Sequence, residues 1–99
     1  MTKGKVVLVP FPYDDVSVNK LRPAVCLTNP VGSRPHVILA YITSRISTNL
    51  LETDIELGTS HPDFAATGLR KPSTLRLHQV VTISTVVIQR ELGVLSSNT

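Results

Sequence analysis

Leu51-Glu-Thr-Asp-Ile-Glu-Leu57 decides the fold class. Glu52, Asp54 and Glu56 alternate with Thr53, Ile55 and Leu57. A period of two puts the acids on one face and the remaining residues on the other, which is the pattern of a half-exposed strand. Three acids on the outer face read as protection of a sheet edge against pairing with other chains. Downstream, Thr74 to Ile83 alternates again, with Leu75, Leu77, Gln79 and Val81 opposing Thr74, Arg76, His78 and Val80. Upstream, His36 to Thr43 has the composition of a strand buried on both faces. Pro23 to Thr28 forms another strand, stopped by Asn29-Pro30 and Gly32. Lys5 to Val9 is apolar and β-branched until Pro10 and Pro12 end it. Phe11 to Lys20 reads as a polar loop, and Gly58 to Lys71 as a long loop with Pro62 and Gly68. Val86 to Leu92 stays open: Val-Val-Ile favours a strand, while Gln-Arg-Glu-Leu-Gly suits a helix end. Five or six short strands separated by turn signals predict a compact antiparallel barrel or a strongly curved sheet.

The 99 residues suit one domain with one core, spanning residues 1–99. A domain of this size buries only about two-thirds of the surface its unfolded chain exposes, so a homodimer would help it. Hydrophobic residues make up 41% of the chain, too many for a disordered polymer. No apolar run approaches the roughly 20 residues that cross a bilayer as a helix. The N-terminal stretch lacks a small-residue cleavage site. Cys26 is the only cysteine, so an internal disulfide is impossible and a reducing, cytoplasmic setting is expected. Cys26 lies between Val25 and Leu27 and reads as a buried small hydrophobe.

Ten Lys and Arg against seven Asp and Glu give a net charge of +3. The excess permits a nucleic-acid partner without requiring one. Lys20, Arg22, Arg45, Arg70, Lys71 and Arg76 lie apart from the acidic strand, and folding could gather them into one positive face. Aromatic side chains are scarce, which argues against a base-stacking platform of the usual RNA-binding kind. The chain has no Cys-x-x-Cys, no His-Glu-x-x-His and no Gly-rich phosphate cradle. His36, His61 and His78 are far apart in sequence without a paired ligand, so neither a zinc site nor a nucleotide cofactor is expected.

Three segments in order carry a resemblance. The first is Val6-Val-Leu-Val-Pro-Phe-Pro-Tyr13 with Lys20-Leu-Arg-Pro-Ala-Val-Cys-Leu27 after a polar loop. The second is Val37-Ile-Leu-Ala-Tyr-Ile-Thr-Ser-Arg45. The third is Gly68-Leu-Arg-Lys-Pro-Ser-Thr-Leu-Arg-Leu-His-Gln-Val-Val-Thr-Ile83. Together they resemble the MazF/PemK family of toxin endoribonucleases from type II toxin–antitoxin modules, over about nine-tenths of the chain. The resemblance implies a mainly β fold, an SH3-like small barrel of about five to seven antiparallel strands with short helices, assembled as a homodimer. It implies metal-independent, sequence-specific cleavage of single-stranded RNA to a 2′,3′-cyclic phosphate and a 5′-hydroxyl, with no cofactor. It implies a cognate antitoxin, expected to be a disordered acidic segment that folds on binding. The family's key arginine matches Arg22 and its key threonine Thr43. Lys20, Ser44, Arg45, Arg76 and Gln79 then become candidates for contact with RNA.

Elementary chemistry stands beside this. RNA cuts itself when its 2′-hydroxyl attacks the adjacent phosphorus. A protein assists by taking that proton, protonating the leaving oxygen and stabilising the phosphorane charge. A guanidinium fork matches phosphate oxygens, so Arg22 suits charge stabilisation. A threonine hydroxyl at a strand end can donate one hydrogen bond, which suits Thr43. Arginine is a poor base because its pKa exceeds about 12. His78 is the candidate base on its ordinary titration range.

The chain departs from the family pattern in three places. His78 stands where some members carry an aspartate, and Lys5 where an acidic residue is usual. The C-terminal helix of many members has no counterpart in Gly93-Val-Leu-Ser-Ser-Asn-Thr99. The same fold also hosts non-catalytic toxins that trap DNA gyrase, which is the alternative reading.

Overall fold

The computed structural model describes residues 2–10, 21–44 and 50–95. Six strands run in chain order: β1 (Lys5–Pro10), β2 (Leu21–Cys26), β3 (His36–Thr43), β4 (Asp54–Leu57), β5 (Ser73–Ser84) and β6 (Arg90–Val94). One helical turn, α1 (Phe64–Thr67), lies between β4 and β5, and a 3-10 turn at Thr85–Val87 precedes β6. The ambiguous stretch from Val86 thus resolves into a turn followed by a strand. No helix is long and apolar enough to cross a membrane. Among the described residues, none follows β6 as a helix.

The strands form one antiparallel sheet in the order β4-β5-β3-β2-β1-β6. Its two faces bury different clusters. Val7, Val9, Ala24, Cys26, Val37, Leu39 and Tyr41 make the first. Val6, Val25, Ala40, Ile42, Leu57, Leu75 and Leu95 make the second. Leu57 comes from one edge strand and Leu95 from just past the other, yet both meet in the second cluster. The sheet therefore curls around that cluster into a half-barrel. Leu39 to Ile42 are buried on both sides of the central strand, as the composition of β3 predicts. Each fully buried Leu, Ile or Val contributes roughly 1.5–3 kcal/mol of transfer free energy. Cys26 is buried, and burial pushes its thiol pKa up, which makes it a poor nucleophile.

Two local features shape one end of the sheet. The β2–β3 ladder pairs Ala24–Cys26 with Leu39–Tyr41 and ends next to Pro23. A proline has no N–H to give a neighbouring strand, so the ladder opens there. The second feature is a bulge in β5. Arg76 pairs with Tyr41 and Val80 with Ala40, so β5 advances four residues while β3 advances one. The three extra residues, Leu77 to Gln79, reverse the phase of the strand. Leu75 and Leu77 pack on the second cluster, whereas Val81 and Ile83 pack on the first. This corrects the unbroken alternation expected over Thr74–Ile83.

Candidate active site

Arg22 lies on β2 opposite Val9, two residues before the β2–β3 ladder begins. Thr43 ends β3 opposite Thr74. Carrying the Ala24–Tyr41 register two residues further brings Arg22 and Thr43 to facing positions at the opened strand ends. One row back along the sheet, Tyr41 faces Arg76, and Arg76 faces Asp54. Directly paired residues share a face. Arg22, Thr43, Arg76 and Asp54 therefore all lie on the face of the first cluster, beyond its apolar end. Arg76 stands about 7 Å along β5 from the residue opposite Thr43.

Asp54 is where the structure departs most from the sequence reading. The alternation of 51–57 put its carboxylate on a solvated outer face with Glu52 and Glu56. Glu52 and Glu56 are exposed, but the Asp54 side chain is only 1% exposed. Leu51 N–H donates to Asp54 Oδ2 at 2.9 Å. Arg76 Nε–H donates to Oδ1 at 3.2 Å, and His78 Nδ1 lies 3.7 Å from the same oxygen. The Leu51 amide bond lowers the Asp54 pKa against the opposing effect of burial, with help from the charges of Arg76 and His78. A carboxylate on an edge strand escapes water because long side chains of the neighbouring strand close over it.

The bulge places His78. Leu77 N–H donates to the Thr53 carbonyl at 3.1 Å, so the bulged segment stays attached to the chain entering β4. Thr53 Oγ1 and His78 Nδ1 are 3.0 Å apart. Gln79 completes the bulge, and among the described residues its shielded Oε1 accepts no hydrogen bond. Arg76, His78 and Gln79 are thus brought to one bulge, next to the row that holds Thr43. Lys20 and Arg45 lie outside the described residues. Ser44 follows Thr43 but belongs to the other face of the sheet.

On that other face, at the same end, is a cleft of about 370 Å³. Leu8, Pro23 and Leu92 contribute apolar lining. Ser44, Arg70, Lys71 and Arg90 border it, and among the described residues no acidic side chain lines it. The sequence reading grouped Arg70 and Lys71 with a phosphate-binding set but missed Arg90, which sits in the segment left ambiguous. Arg90 reaches this end because β6 pairs with β1, with Arg90 opposite Leu8. Among the described residues, no three His, Cys, Asp or Glu side chains gather as a metal-holding group.

The chain was compared with known proteins. No curated protein sequence matches it. A solved structure described as an endoribonuclease in complex with its cognate antitoxin, from Mycobacterial species, superposes with a TM-score of 0.66 at 16% identity. The match covers 100% of this chain and 82% of that one. At that identity the likeness concerns the fold, and it agrees with the curled antiparallel sheet described above. A family model described as the PemK-like, MazF-like toxin of type II toxin–antitoxin systems matches residues 2–99. With Arg22-Pro-Ala24 and Ile42-Thr-Ser44 at one end of the sheet, the chain belongs to the PemK-like, MazF-like toxin family.

Proposed function

We propose that this toxin is a metal-independent endoribonuclease that cuts single-stranded RNA, acting in the cytoplasm and held in check by a cognate antitoxin. The observation that carries the reading is the placement of Arg22 and Thr43 at facing strand ends, one row from Arg76 and the His78 bulge. In the reaction the RNA 2′-oxygen attacks phosphorus and the P–O5′ bond breaks. The 2′-proton passes to a base, for which His78 is the candidate, and O5′ leaves with a proton. The products are a 2′,3′-cyclic phosphate and a 5′-hydroxyl. Arg22 holds two phosphate oxygens through its guanidinium fork, and Thr43 donates one hydrogen bond to the charge that develops there. Arg76 adds a second positive charge. Gln79, Lys20, Ser44 and Arg45 contact flanking nucleotides. The basic cleft takes backbone phosphates leaving the site, since neutralising phosphates is the main source of affinity for a polyanion. Exposed Val31 and Val86, at the far end of the sheet, fit association with a second copy.

The test is incubation of a long single-stranded RNA with the protein in EDTA. Cleavage to 5′-hydroxyl ends, lost in Arg22→Ala while the circular dichroism spectrum is retained, supports the reading. Undiminished cutting by Arg22→Ala removes that residue from the mechanism. A protein that never cuts RNA but captures gyrase returns the assignment to the non-catalytic class.

A further inference from the structure

The mechanism above leaves one buried charged group unused. Asp54 is the acid that the strand pattern assigned to solvent, and the structure buries it between the arginine and the histidine of the site. We propose that Asp54 is a positioning residue: its carboxylate fixes the Arg76 guanidinium and keeps the proton of neutral His78 on Nδ1, leaving Nε2 as the atom that accepts the RNA 2′-hydroxyl proton. The proposal deepens the reading of this site as an RNA-cleaving centre and rests on it.

Three observations carry it. Oδ2 is occupied by the Leu51 amide, so the carboxylate cannot turn without losing that hydrogen bond. Oδ1 receives Arg76 Nε–H at 3.2 Å, which holds one edge of the guanidinium and leaves its terminal nitrogens for phosphate oxygens. His78 Nδ1 faces Thr53 Oγ1 at 3.0 Å and Asp54 Oδ1 at 3.7 Å. A bare lone pair on Nδ1 would confront the negative carboxylate. A proton there instead donates to Thr53 Oγ1 and meets the carboxylate charge. A carboxylate behind a histidine selects the tautomer and steadies the imidazolium that forms during proton transfer, and it need not take the proton itself. Arg76 and His78, two residues apart on β5, thus share the one carboxylate oxygen.

Two measurements on the full chain test the proposal. Long-range nitrogen–proton NMR of the histidine rings reads the His78 tautomer in the wild-type protein. The expected result is a proton on Nδ1; a proton on Nε2 in the neutral ring overturns the proposal, whether or not the protein cuts RNA. The second measurement is the kinetics of Asp54→Asn on an RNA oligonucleotide spanning a mapped cut. The expected result is kcat lower by roughly tenfold or more with KM changed less than about threefold. In a His78→Ala background the same substitution should lower kcat by a third of that factor or less. An equal loss in both backgrounds overturns the proposal, because it marks a structural effect. If wild type cuts in EDTA and Arg22→Ala does not, the reading of the function stands however Asp54 behaves.

Discussion

Arg22 stands directly opposite Val9, a side chain with no exposed surface, on the face that carries the first core cluster. A half-buried arginine at the mouth of an apolar face sits where water is thin and its charge is least screened. The fold thus supplies the setting in which a guanidinium fork binds phosphate well.

Arg22→Lys keeps the charge but not the fork. A compact ammonium cannot hold two phosphate oxygens in one plane. RNA cleavage should fall by roughly a hundredfold, close to the effect of Arg22→Ala. Thermal melting should move by only a few degrees. A lysine variant with near-native cleavage would show that charge alone is what the site needs.

Thr43→Val removes a hydroxyl at nearly constant volume. Loss of one donor to the developing charge should lower kcat by about tenfold to a hundredfold. Single-turnover cleavage at saturating protein isolates this from binding. An unchanged rate would make Thr43 only the polar end of a strand.

Stability should fall as pH drops into the acid range, and Asp54 should account for part of that fall. Its folded pKa lies below the ordinary carboxylate range because of the Leu51 amide bond and the neighbouring charges. A carboxyl with a depressed folded pKa stabilises the fold fully above its unfolded pKa. That contribution is lost as pH falls from the unfolded value through the folded one. Urea midpoints from pH 6 down to pH 2 should therefore drop more steeply in wild type than in Asp54→Asn. Parallel curves would show that the carboxylate contributes nothing to pH-dependent stability.

Gly93→Ala tests the docking of α1 on β6. A Cβ at Gly93 would overlap the Ala66 carbonyl oxygen and the Thr67 backbone, so the helical turn must move. Overpacking against backbone of this kind costs about 1–3 kcal/mol. The midpoint of unfolding should fall accordingly. RNA affinity should fall with it, because Leu92 and Gly68 both line the basic cleft.

Salt dependence reports on the cleft. Each phosphate contact on single-stranded RNA adds about 0.7 to the negative slope of log K against log salt. Lys71→Ala and Arg90→Ala should each flatten the slope by roughly that amount, measured on an RNA blocked at its 2′-oxygens. Slopes equal to wild type would place the phosphates elsewhere.

Much of the fold was legible in the chain. The β3 bounds coincide with the predicted His36–Thr43, because a run of apolar residues between a proline turn and a polar end leaves little freedom. β5 was legible in extent but not in phase. Alternation cannot reveal a bulge, since both phases look apolar when Val80 and Val81 adjoin. Arg90 was missed for a related reason: pairing with β1, not local propensity, makes Arg90–Val94 a strand.

The sequence by itself determined the approximate positions of β1 to β5, the proline that opens the β2–β3 ladder, and the motifs that identify the family. These depend on local backbone chemistry and on residue types, which a chain carries before it folds. Only the tertiary structure decided that Arg22 and Thr43 come to facing register positions at the strand ends, that the cleft lies on the reverse face, and that the Asp54 side chain is buried. The physical reason is that burial of a charge depends on what a neighbouring strand lays over it. Asp54 obeys the two-residue period of an exposed edge, yet Arg76 and His78 close over it from β5, some 22 residues or more away in the chain.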